Sequence, residues 1–129
     1  MEDKSIQVGF LLAGLVNIIG ILIFSLGFTN TYLMRLYPQV FSFFGLVVII
    51  LWGLAYIAVS KSYHRVRWLI GVFSVEKLVY TISWILWLSQ NNLVSVFEKS
   101  LMTGLFYASY GLLDIVFGIF FLWVFFKRE

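Results

Sequence analysis

Apolar residues along this chain fall into long runs separated by short polar stretches. A helix of about 20 mostly apolar residues can cross a bilayer. Four segments reach that length, at about 8–28, 40–59, 68–88 and 101–126. They are joined by TNTYLMRLYPQ, KSYHRVR and SQNNLVSVFEK. Short connections favour antiparallel neighbours. The pattern therefore predicts an all-α membrane fold, an up-down four-helix transmembrane bundle, with residues 1–129 forming a single integral membrane domain. Pro38 falls at the expected first turn of the second span, where its missing N–H costs no hydrogen bond. The first span reads as a retained anchor. Its run is too long for a signal peptide, its leader MEDKSIQ is not basic, and no A-x-A-like cleavage site follows.

Within each span a stripe repeats in alternating three- and four-residue steps, the period of a left-handed bundle. The stripes read Ala13, Asn17, Gly20, Phe24, Gly27; then Ser42, Gly45, Ile49, Trp52, Tyr56. The third is Leu69, Phe73, Glu76, Tyr80, Ser83, Trp87, and the fourth Gly104, Tyr107, Gly111, Asp114, Gly118, Phe121. Lipid is as apolar as leucine, so small and polar residues mark the faces that pack. All four stripes are expected at the bundle centre.

Composition agrees. The chain is 62% hydrophobic and 12% charged, against about 45–50% apolar and about 25% charged in soluble proteins. It has no cysteine and one histidine, so thiol chemistry, zinc thiolates and bis-histidine haem ligation are excluded. No metal or other cofactor is implied. The net charge of +3 is no nucleic-acid signal, because the positive residues sit in loops and tails. Lys4, Lys61, Arg65, Arg67, Lys127 and Arg128 lie on one side, and only Arg35 and Lys99 on the other. By the positive-inside rule the N-terminus, the middle loop and the C-terminus face the cytoplasm. Aromatic anchors follow: Trp68, Tyr63 and Trp123 at the inner surface, and Tyr32, Tyr37, Trp84 and Trp87 at the outer one. His64, in the basic middle loop, reads as a solvated headgroup contact.

The charges inside the spans carry the chemistry. An ionised side chain at a helix centre costs about 2.5–3.5 kcal/mol on insertion scales. Glu76, Lys77 and Asp114 together would cost about 8–10 kcal/mol if exposed to lipid, so they must face each other or water, or be neutral. Asn17, Glu76 and Lys77 each lie about 15 Å along their helices from the cytoplasmic ends, near the midplane, and Asp114 lies about as deep. Glu76 and Lys77 are adjacent and point about 100° apart, so Lys77 is expected to reach across to Asp114. Glu76 is then held by Tyr80 and Asn17, or carries a proton. Ser83, Tyr107 and Tyr110 extend the polar track outward. Trp52, Tyr56, Tyr107 and Tyr110 are candidates to line a pocket for an isoprenoid, quinone or sterol-like ligand.

The segment WGLAY (Trp52 to Tyr56), a basic turn and then GVFSVEKLVY (Gly71 to Tyr80) resembles a pattern of small four-span bacterial membrane proteins, loosely DoxX-like in architecture. In that pattern the lysine corresponds to Lys77. The resemblance implies a bacterial cytoplasmic membrane and implies no activity.

Two readings of the polar layer stand side by side. One is a structural latch that fixes helix register. The other is a functional site, binding a lipid-like ligand or a membrane-protein partner. The alternative function is a small oligomeric proton- or cation-coupled transporter or channel. Against it, no span has an interior proline and no internal repeat is evident. An enzyme finds little support, because no P-loop, serine motif or histidine–carboxylate cluster is present. Membrane lipids and a homo-oligomer or membrane partner are the expected company.

Overall fold

The computed structural model describes residues 4–127. Arg128, counted above on the cytoplasmic side, lies outside the described residues, as do the first three residues of the leader. Among the described residues every regular element is helical. The chain divides into two compact units, Met1–Tyr63 and His64–Glu129.

The first unit contains α1 (Lys4–Phe24), α2 (Thr31–Leu36), α3 (Pro38–Phe41) and α4 (Phe43–Val59). α1 and α4 pack antiparallel. A Cβ built on Gly14 would come 2.5 Å from the Gly53 carbonyl oxygen, and one on Gly53 would come 2.8 Å from the Gly14 oxygen. Two glycines facing each other let the backbones meet, which is how helices gain contact where burial from water gives no drive. Further along, Phe10 stacks on Tyr63 with ring centroids 5.8 Å apart.

The first span ends earlier than its hydropathy suggests. α1 stops at Phe24, and Leu26, Gly27 and Phe28 all take positive φ, at 53°, 63° and 70°. The Gly27 N–H donates to the Leu22 carbonyl (2.9 Å) and the Phe28 N–H to Ser25 Oγ (3.0 Å), which closes the helix end. The turn is made largely of apolar residues, so hydropathy runs straight through it. The second span is also interrupted. Pro38 does open a helix, but that helix is the four-residue α3. Ser42 then caps a new one, accepting from the Gly45 N–H at 3.2 Å. A side chain at Gly45 would collide with the Val40 carbonyl, so the bend requires glycine there. The loop TNTYLMRLYPQ also holds α2, capped by Asn30.

The second unit contains α5 (Arg67–Gln90), α6 (Leu93–Lys99) and α7 (Leu101–Phe126). The expected third and fourth spans are α5 and α7, with α6 folded from the expected loop. Ser100 caps α7 through the Thr103 N–H. α5 and α7 run antiparallel, each step up one matched by a step down the other. Trp68 meets Phe125, Phe73 meets Phe121, Lys77 meets Asp114 and Trp87 meets Tyr107.

Glycines seven apart on α7 receive large side chains: Gly104 takes Phe97, Gly111 takes Trp84, and Gly118 takes the stem of Lys77. This corrects the α5 stripe. The contact ridge uses Lys77 and Trp84, one residue beyond Glu76 and Ser83, because bulk rather than polarity fills the glycine notches. Leu69 is exposed and Ile70 takes its inward place. On α4 the buried face similarly passes through Leu46 and Gly53 rather than Gly45 and Trp52.

Among the described residues three helices, α1, α5 and α7, are long and apolar enough to cross a membrane, and the 17-residue α4 is shorter. Their exposed faces are apolar: Leu12, Ile23, Val79, Ile85, Val116 and Ile119 are each about half exposed or more. Asn17, Glu76, Lys77 and Thr103 are buried. Such inversion suits a chain solvated by lipid. Of the expected interfacial aromatics, Trp68 and Trp123 are exposed, whereas Tyr63 and Trp87 are buried in packing contacts.

Candidate functional site

The centre of the second unit is the Lys77–Asp114 pair. A lysine in the middle of an apolar helix must find a countercharge or lose its proton. Lys77 Nζ donates to Asp114 Oδ1 at 3.0 Å, with 3% of the lysine side chain and 13% of the aspartate side chain exposed. The pairing expected from the sequence is present. Gly118 gives the lysine stem room, because a Cβ there would sit a tight 3.2 Å from Lys77 Cβ. The lysine stem crosses α7 over Gly118 and its ammonium reaches Asp114, four residues away on the same face.

Glu76, next along α5, is buried. Tyr80 is half-buried, its carbonyl accepting from Ser83 Oγ at 2.7 Å. Ser83 Oγ also lies 3.4 Å from the Tyr110 hydroxyl. Asn17 belongs to the first unit. There its side-chain amide donates to the Ile49 carbonyl at 3.0 Å, over the surface that Gly53 leaves open. Asn17 thus anchors α1 to the backbone of α4. Among the described residues no buried side-chain polar atom lacks a partner.

The four aromatic candidates divide between the units. Trp52 and Tyr56 lie on α4, where Tyr56 is fully buried. Tyr107 stacks on Trp87 at 4.4 Å, and Tyr110 stacks on Phe106 at 5.5 Å. The Trp84 indole N–H donates to the Tyr107 carbonyl at 2.7 Å. Tyr107 and Tyr110 therefore serve the α5–α7 seam.

An open groove does exist on the second unit, with different walls. It has a volume of about 310 Å³ and lies between α5 and α7. Val75, Leu78, Ile115, Ile119 and Leu122 make it apolar, and Ser74, Thr81, Gly118 and Asp114 complete it. Sequence reasoning named Asp114 but missed Ser74 and Thr81. They sit three residues before and four after Lys77, a spacing that places them on its face. Both hydroxyls donate to their own helix: Ser74 to the Ile70 carbonyl (3.4 Å) and Thr81 to the Lys77 carbonyl (2.9 Å).

Chemically the groove offers apolar walls, a hydroxyl oxygen at each end and the Asp114 carboxylate at one of them. Among the described residues there is no group of three side chains fit to hold a metal ion. Comparison with protein-family models, curated proteins and solved structures finds no match.

Proposed function

We propose that this chain is a four-span integral protein of a bacterial cytoplasmic membrane, with both termini on the cytoplasmic face. Its role is to bind a lipid-like ligand or a membrane-protein partner beside the Glu76, Lys77 and Asp114 layer. One observation carries the reading: the Lys77–Asp114 ion pair lies at an apolar groove of about 310 Å³, the lower end of the usual range for small-molecule sites. A groove of that size favours the ligand. The likeness of WGLAY and GVFSVEKLVY to small four-span bacterial proteins supports the membrane and assigns no activity.

Native mass spectrometry of the protein released from mild detergent tests the reading. The expected result is a defined extra mass that disappears in Ile119→Trp, whose indole would fill the groove from an exposed position. An extra mass unaffected by that substitution, or a ligand-free chain from every preparation, overturns it.

A further inference from the structure

We propose that the α5–α7 groove takes one neutral single-chain lipid, and that Asp114 accepts a hydrogen bond from its hydroxyl head. The inference rests on the ligand-binding reading above and names the ligand's class.

The dimensions select a chain. Ser74 to Thr81 and Asp114 to Leu122 mark the groove's length, about 10–12 Å at 1.5 Å per residue. A volume of about 310 Å³ over that length leaves a cross-section of about 26–30 Å². That is room for a single hydrocarbon chain. A helix about 10–12 Å across does not enter it.

Each end of the groove carries a hydroxyl oxygen, and the Asp114 carboxylate distinguishes one of them. α5 and α7 are antiparallel, so Thr81 and Asp114 mark one end and Ser74 and Leu122 the other. At the first end both polar groups accept. Lys77 engages Asp114 through Oδ1, which leaves the lone pairs of Oδ2, and the aspartate side chain retains 13% exposure. Thr81 spends its proton on the Lys77 carbonyl, so its oxygen offers only lone pairs. The head must therefore donate.

Charge selects among donors. Lys77 already neutralises Asp114, and Glu76 is not among the groove-lining residues. An ammonium head would compete with Lys77 for Asp114 and lose its hydration in the apolar groove. A carboxylate head has no proton to donate at neutral pH and would lose its hydration in the apolar groove. A hydroxyl satisfies the acceptor at no such cost.

The test uses the purified full chain in mild detergent, with binding read by native mass spectrometry at neutral pH. The probes share one ten-carbon chain: decanol, decyl methyl ether, decylammonium and decanoate. Decanol is expected to bind at least tenfold tighter than the other three. Ile119→Trp should abolish binding of all of them. Lys77→Met combined with Asp114→Ala removes both members of the pair, and should bring decanol down to the level of the ether. Equal binding of alcohol and ether, or a preference for either charged head, overturns the hydroxyl assignment while leaving the groove as a ligand site. Retention of the alcohol preference in the double variant overturns the role of Asp114. No binding of any probe, when the released protein still carries a groove-dependent mass of its own, overturns the single-chain class alone. No binding and no such mass overturn both readings.

Discussion

Lys77 holds its ammonium 3.0 Å from Asp114 with 3% of its side chain exposed. Removing one partner of such a pair leaves a buried charge uncompensated, which costs about 3–5 kcal/mol. Lys77→Met is therefore expected to lower stability by about 3 kcal/mol, discounted towards the low end because Asp114 is partly exposed. Adding Asp114→Asn should recover part of that loss. Detergent melting of the two single variants and the double gives the coupling, and additive losses would show that the pair contributes nothing jointly. Glycine position gives a second contrast. A Cβ at Gly111 would overlap the Trp84 indole, whereas one at Gly20 meets nothing within 4 Å. Gly111→Ala should cost about 1–3 kcal/mol by forcing the seam apart. Gly20→Ala should gain about 0.5–1 kcal/mol from reduced backbone freedom. Equal melting temperatures for the two variants would contradict the notch description of α7.

At the level of elements, α7 was legible almost to the residue. Ser100 caps its start, Lys127 follows its end, and nothing between them breaks the apolar run. The Lys77–Asp114 pairing was legible for a related reason, since a charge inside an apolar helix has few ways to be accommodated. The end of α1 was not legible. Leu26 and Phe28 adopt positive φ without being residues that advertise a turn. The break at Ser42 was hidden because Pro38 alone accounts for a helix start. The partner of Trp84 was hidden too, since tryptophan near a span's end also marks an interface. The left-handed turn makes its own prediction. A side chain at Gly27 would meet no neighbour, so the cost of Gly27→Ala isolates the backbone. It should destabilise by about 1–2 kcal/mol. A neutral result in detergent melting would mean that the turn relaxes freely.

For the molecule as a whole, the proposed topology turns on α4. Its 17 residues rise about 26 Å, a little short of the roughly 30 Å hydrocarbon core, whereas α1 matches that thickness and α5 and α7 have length to spare. If α4 crosses, Thr31 and His64 lie on opposite sides of the membrane, and Asn92 lies with Thr31. If it does not, Thr31 and His64 share a side. The chain has no cysteine, so a single introduced thiol has no background. All three positions are exposed at the surface of their turns or helix ends. Thr31→Cys and Asn92→Cys should react with a membrane-impermeant thiol reagent added to intact spheroplasts. His64→Cys should react only after permeabilisation, which follows from Lys61, Arg65 and Arg67 holding that loop inside. Labelling of His64→Cys in intact spheroplasts while Thr31→Cys is also labelled would place α4 on the membrane surface and reduce the spans to three. Labelling of His64→Cys with protection of the other two would instead invert the chain and sink the charge argument.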